Sequence, residues 1–495
     1  MSTQETILVT GVTGSIGSWL ARTMLDGGER VLALTRADTK ETARARTEEA
    51  LRVVGTAPYP GRLDIVHGDI CDARLSERLA ATNINLSLIV HCAGVLEFGA
   101  EHAELNRQVN VQGTANLLRL AEALGVPFCH FSTAYIAGKR QGRVFETEID
   151  LGQEYNNPYE SSKCQAELLI QQWSERTGLN AFVFRPSIVV GDSRHGRIVN
   201  FDGLYNIMRL LDSIGSSIGT TAFRVLGNHN ATKNFVPADY VARATWHIIK
   251  NGSPGTYHLT NPHPMPLAKL RDVLAELFAV PGARFVDEDA FRMKQASRLE
   301  RMYQKAASVY VPYLASEPVF DRTRADAALR DLDVEIPTMG LAFFRELLTF
   351  ARQADWGETV PAAVSVNQGR DAFVERYFTR FLREKMHQQL LPNLKKLSAT
   401  CRIEVEDLPT QTWSLRIDRG RLEHISTNGA DCQCTFLLHS DVFSRIVSGR
   451  LAPQRAFFEM KVNIEGDIET GLKLTTVLAT FFKKWPYGLD ACRER

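Results

Sequence analysis

Tyr159 and Lys163 stand four residues apart in Tyr159-Glu160-Ser161-Ser162-Lys163. On a helix, positions i and i+4 share a face, so a phenol and an ammonium would project together. An ammonium beside a phenol lowers its pKa toward the working pH, as a general acid requires. Asn157 is a natural N-cap and Pro158 a natural first helical residue, which puts Tyr159 in the opening turn. Upstream, Ser132-Thr133 closes an apolar run, where a hydroxyl could hold a substrate oxygen. A lone YxxxK is usually a surface helix pair. Here it follows Gly11-Val12-Thr13-Gly14-Ser15-Ile16-Gly17, a GxxGxxG loop between an apolar strand and a helix. That spacing allows a tight turn, close approach of backbone to a pyrophosphate, and close helix–strand packing. The anion would rest on N–H groups at the helix start. Gly11, Thr13, Gly14, Ser15, Ile16 and Gly17 are therefore candidate contacts to a dinucleotide.

The end of the second strand bears on which dinucleotide. A carboxylate there accepts from a ribose hydroxyl, whereas an Arg suits a 2′-phosphate. Leu34-Thr35 is followed by Arg36, with no carboxylate until Asp38 and further cations at Arg44 and Arg46. The expectation is NADPH over NADH. Asp69, after the third strand, is placed to meet the adenine. A covalent cysteine route is disfavoured: Cys164 adjoins Lys163 without a partnered His, and Cys92 and Cys129 read as small residues on buried strands.

The elements that would position these groups alternate. Strands are expected at Thr6–Thr10, Arg30–Thr35, Leu63–His67, Leu88–His91, Phe128–Ser132 and Ala181–Phe184, and helices at Ser15–Leu25, Ala103–Leu124 and Pro158–Trp173. Near-continuous apolar strands separated by helices indicate a parallel sheet covered on both faces, the doubly wound Rossmann form of the α/β class. From about residue 190 to 350 the pattern loosens into a small substrate subdomain, completing a first domain over 1–354. Residues 355–369 read as a linker. Beyond them, over 370–495, come a helical stretch from Asp371 to about Leu397 and strands at Cys401–Val405, Thr412–Ile417, Arg421–Ser426 and Cys434–His439. Helices near Asp441–Ser448 and Gly466–Phe482 complete an α+β domain.

Composition excludes several classes. Across 495 residues, 58 Lys+Arg against 57 Asp+Glu leave a net charge of +1, without the basic footprint of a nucleic-acid binder. The eight cysteines are scattered, with no CxxC pair or His spacing that would build a metal site, and suit a reducing, cytoplasmic setting. No apolar run reaches the length of a membrane-spanning helix, and the first strand leaves no room for a signal peptide.

The first 250 or so residues resemble the extended short-chain dehydrogenase/reductases, through Thr10–Gly17, Ser132/Thr133, Tyr159 and Lys163 in order and spacing. More narrowly they resemble the fatty acyl-CoA reductase and carrier-protein thioester reductase branch. His91–Gly94, Val109–Thr114, Ser132–Tyr135, Arg185–Asp192 and Asn234–Val241 carry this likeness. It implies a Ser/Thr-Tyr-Lys triad, with Thr133 favoured because it precedes Gly138 by five residues and Ser132 left open. It also implies that Ile70, Cys92, Ala93, Gly94 and Asn110 line the cofactor site, and that Pro186, Ser187 and Ile188 lie along the nicotinamide. Ser448–Pro453, Ala456–Phe458 and Val462–Ile468 resemble the sterol-carrier-protein type of lipid-binding domain. The joint expectation is an NADPH-dependent reductase of long-chain acyl-CoA or acyl-carrier-protein thioesters, giving aldehyde or alcohol, with a lipid or sterol ligand in the C-terminal domain. A hydroxysteroid or lipid-alcohol dehydrogenase, or a lipid carrier with a non-catalytic reductase fold, are the alternatives.

Overall fold

The computed structural model describes residues 5–55, 59–80, 84–214, 224–287, 290–291, 300, 310–357, 367–387, 398–408, 411–427, 432–449, 451–458 and 461–487. The chain divides into two compact units. One is drawn from residues up to Glu358; the other comprises Thr359 onward together with Asn206–Ser217.

The first unit is built on seven parallel strands: β1 (Thr6–Thr10), β2 (Arg30–Thr35), β3 (Leu63–His67), β4 (Leu86–His91), β5 (Phe128–Phe131), β6 (Ala181–Pro186) and β7 (Gly255–Leu259). Their spatial order is β7-β6-β5-β4-β1-β2-β3. Alternation along each strand loads both faces. Ile7, Val9, Val31 and Val90 pack with Leu20, Met24 and Val241 on one side. Leu8, Leu32, Ile89 and Phe128 pack with Leu117, Ile170 and Trp173 on the other. This is the doubly wound Rossmann sheet, and its strand order reverses between β1 and β4, where such sheets bind ligands.

Two features depart from the sequence expectation. The Ala103–Leu124 helix is interrupted by a π-helical turn at Arg107–Gln112, which contains Asn110. β7 was not anticipated. Small two-stranded pairs tie the looser subdomain to the residues before it, among them Ile188–Val190 against Phe235–Pro237 and Arg143–Val144 against Val319–Phe320. The helix Pro158–Thr177 is held to β6 by a fully buried Arg185–Glu167 ion pair at 2.6 Å, whose guanidinium also donates to the Glu148 carbonyl at 2.7 Å.

The second unit holds a five-stranded mixed sheet: β8 (Ala399–Val405), β9 (Thr412–Asp418), β10 (Arg421–Ser426), β11 (Cys434–Leu438) and β12 (Val462–Gly466), in the order β10-β9-β8-β11-β12. β12 was not foreseen, and the final helix begins after it, at Ile468. The leading helix starts at Asn367, inside the expected linker. Residues 358–366 of that linker, and 388–397 of the expected helical stretch, lie outside the described residues. Phe378 stacks on Trp413 at 4.9 Å, and Tyr377 meets Phe443 edge-on at 5.2 Å. Leu415, Phe436, Leu438, Phe443, Leu478 and Phe481 are among the residues lining an open apolar cavity of about 750 Å³, mouth included. Among the described residues, no helix is long and apolar enough to cross a membrane.

Candidate active site

The glycine loop leaves β1 toward the switch point. Gly11 has φ +73°, and a Cβ there would lie 2.6 Å from the Ala93 nitrogen. Only glycine fits where this turn passes the end of β4. Gly17, in the first turn of the helix Ser15–Asp26, would carry a Cβ 2.2 Å from the Gly11 carbonyl oxygen. Gly14 is the helix N-cap, with no side-chain cap and no acidic residue in the first turn. Bare N–H groups, a closely packed cradle and an uncountered helix dipole fit a dinucleotide pyrophosphate. Beside the cradle, Thr10 Oγ1 bonds His91 Nδ1 at 2.8 Å and accepts from the Ala93 amide at 3.2 Å, fixing the Cys92–Gly94 stretch.

Burial pushes the Cys71 thiol up; Asp69, past the end of β3, raises it further and Arg36, past the end of β2, draws it down. Arg36 is exposed, and its carbonyl accepts from Arg46. Asp69 Oδ1 accepts from the Cys71 amide at 2.9 Å. Ile70 is buried against Gly113, and its carbonyl accepts from Asn116. Ser187 donates to Asn234 Oδ1 at 2.6 Å, which fixes the turn between Pro186 and Ile188.

The proposed triad converges. Asn157 Oδ1 caps the helix Pro158–Thr177 by accepting from the Glu160 amide at 3.1 Å, so Tyr159 does sit in the first turn. The Thr133 side chain acts on its phenol, lowering its pKa against the larger effect of burial. Thr133 Oγ1 accepts from the Tyr135 amide at 3.2 Å. The Ser132 hydroxyl is buried with no partner among the described residues, whereas the Thr133 side chain is the one that influences the phenol. Lys163 is 5% exposed and donates to the Phe131 carbonyl at 2.8 Å. Asn110 in the π-turn donates to Ser162 Oγ at 2.9 Å and accepts from the Val95 amide at 2.9 Å, while Ser162 donates to the Tyr159 carbonyl at 2.8 Å. Ser162 was missed by the sequence reading, although its i+3 spacing from Tyr159 was visible.

The expected electrostatics need correction. Burial pushes the Tyr159 phenol well above its ordinary value; Thr133 draws it down, and Glu160 pushes it up. Removal from water, not the lysine charge, governs this phenol, so it stays protonated and ready to donate. Burial instead lowers Lys163 to about 8, against a small opposing pull from Cys92 and Glu167. Cys92 is half-buried rather than core, and burial holds the Cys92, Cys129 and Cys164 thiols above their ordinary value. None is a ready nucleophile at neutral pH.

Lys163 yields a pH prediction. Loss of its proton should lower kcat/KM as pH rises through about 8. A profile that stays level to pH 10 would remove the ammonium from the mechanism. Stability runs the opposite way. The folded-state value lies below the ordinary 10.5, so the unfolded chain binds more protons between about 8 and 10.5. Stability from this group rises with pH across that window and is absent below it.

Comparison with known proteins agrees with this geometry. Residues 9–245 match the family model described as male sterility protein, and residues 378–479 that of the SCP-2 sterol transfer family. The chain is 28% identical over 295 residues to a carboxylic acid reductase of Mycobacterium tuberculosis, a match covering 52% of this chain and 25% of that protein. It is likewise 28% identical over 296 residues to an isonitrile lipopeptide synthase of the same organism, covering 52% of this chain and 12% of the synthase. The matched stretch is thus a quarter or less of these curated relatives. In fold, the chain is similar to the terminal R domain of the myxalamid PKS-NRPS biosynthetic pathway. That likeness has a TM-score of 0.58 and 23% identity, covering 72% of this chain and 92% of the domain. A thiolation-reductase di-domain from an archaeal non-ribosomal peptide synthetase follows at 0.57 and 16%, covering 72% and 76%. The larger domain thus matches the model of the male sterility family, the fatty acyl-CoA reductase type, and the C-terminal domain matches that of the SCP-2 sterol transfer family.

Proposed function

We propose that the protein reduces long-chain acyl thioesters, carried on coenzyme A or a carrier-protein phosphopantetheine, using NADPH. The observation that carries this reading is the buried Lys163 on the helix that also carries Tyr159, whose phenol the Thr133 side chain influences, on the same edge of the sheet as the glycine cradle. The relatives are carboxylic acid reductases and synthetases with terminal reductase domains, which favours a thioester over a ketone.

Gly11–Gly17 would hold the cofactor, which would supply the hydride for the thioester carbonyl carbon. Thr133 and Tyr159 donate hydrogen bonds to the carbonyl oxygen as negative charge builds there. Tyr159 then delivers its proton, giving a hemithioacetal. Lys163 would hold the cofactor ribose and stabilise the phenolate left behind. Breaking the C–S bond releases aldehyde and free thiol; a second hydride and proton would carry the aldehyde to alcohol. In the C-terminal domain, the apolar cavity would take the acyl tail or the released aldehyde.

The test is NADPH oxidation with a panel of acyl-CoAs and an acylated carrier protein, with thiol release and aldehyde trapping followed together. Acyl-dependent oxidation with equal thiol release supports the reading. Activity on a sterol ketone alone would replace it with the alcohol-dehydrogenase alternative. The cofactor preference has its own check: Arg36→Ala should weaken NADPH about tenfold or more and NADH little, through the lost charge-assisted bond to the 2′-phosphate. Equal loss of both would remove Arg36 from the phosphate site.

A further inference from the structure

We propose that Tyr313 is a positioning residue, locking the first turn of the helix that carries Tyr159; this rests on Tyr159 being the acid of the reaction proposed above. Tyr313 belongs to the short helix Val311–Ala315, 153 residues beyond Glu160 in sequence. Its hydroxyl donates to Glu160 Oε1 at 2.5 Å and accepts from Asn157 Nδ2 at 2.6 Å. Asn157 Oδ1 in turn accepts from the Glu160 amide, which closes a ring around the residues flanking Tyr159. Asn156 completes it, donating its amide N–H to Glu160 Oε2 at 2.8 Å. Glu160 is fully buried, so these donors stand in for water on its carboxylate.

The aromatic contacts point the same way. Phe98 lies 5.9 Å from the Tyr159 ring and 5.7 Å from the Tyr313 ring. Tyr135, whose amide binds Thr133, meets Tyr313 edge-on at 5.5 Å. Tyr313 therefore touches the supports of both hydroxyls that face the substrate oxygen. Fixing the two donors together is what a preorganised oxyanion site needs, and small displacements there are costly.

The test compares the full chain with Tyr313→Phe, which keeps the ring and removes both hydrogen bonds. The variant should lose about tenfold to a hundredfold in kcat. KM for the thioester and NADPH affinity should change little. Amide hydrogen exchange should quicken over residues 156–164 and stay unchanged in the sheet. Glu160→Gln, which keeps an acceptor for Tyr313, should lose less kcat than Tyr313→Phe. Wild-type kcat in Tyr313→Phe, a raised KM alone, or unaltered exchange over 156–164 would overturn the proposal. So would exchange quickened throughout the chain with kcat per folded molecule unchanged. If the wild-type chain turns over no thioester, the proposed function fails, and the exchange result alone still decides the role of Tyr313.

Discussion

Replacing Tyr159 with Phe is expected to lower kcat by about 10²–10⁴-fold, the usual worth of a positioned proton donor. NADPH binding should be nearly unchanged. The ring stays, so its contact with Phe98 at 5.9 Å survives, and only the hydroxyl goes. Because burial keeps this phenol protonated, its loss removes both a hydrogen bond to the developing oxyanion and the proton that follows. Steady-state NADPH oxidation measures the first quantity and a fluorescence titration the second. Parallel loss of kcat and binding would make Tyr159 a structural residue. Unimpaired turnover would move the acid to another group, or leave the reductase fold without a catalytic role.

Gly17→Ala should abolish useful NADPH binding, with a loss of about a hundredfold or more, or ~2.7 kcal/mol. The added methyl would sit 2.2 Å from the Gly11 carbonyl oxygen, which is backbone and cannot swing aside. Helix and loop must separate, and the N–H groups at Ser15 and Ile16 lose their common focus. Overpacking of this kind also costs about 1–3 kcal/mol of stability. Gly14→Ala supplies the contrast. Its methyl would meet only the Gly11 oxygen, at 3.2 Å, on a backbone with φ −106° that any residue adopts. That variant should keep its melting temperature yet bind NADPH more weakly, because the side chain intrudes on the phosphate rather than on the fold. Calorimetric titration with thermal melts separates the two. If Gly17→Ala bound NADPH like the wild type, the loop would not be the pyrophosphate cradle.

The local features were legible because their causes are local. Runs such as Thr6–Thr10 and Arg30–Thr35 are strands by composition, and they fall at the expected residues. Asn157 and Pro158 start a helix by capping chemistry alone, and i, i+4 spacing then puts Tyr159 and Lys163 on one face. The glycines at Gly11 and Gly17 state a steric requirement that the neighbouring backbone confirms. β7 and β12 escaped notice because short strands late in each unit earn their place from partners: β7 pairs with β6, and β12 with β11.

The sequence by itself determined which residue types stand together on one helix and one loop, and hence the class of chemistry to look for. Only the tertiary structure decided that the Thr133 side chain, rather than Ser132, influences the phenol, and that Lys163 turns to the Phe131 carbonyl. It also decided that Tyr313 closes a ring with Asn157 and Glu160. The same holds for the proton on Tyr159. Spacing suggested a lysine charge would govern it, whereas exclusion of water does. Spacing fixes neighbours within a few residues of chain, but desolvation depends on every atom that packs around a group, most of them brought there from distant sequence.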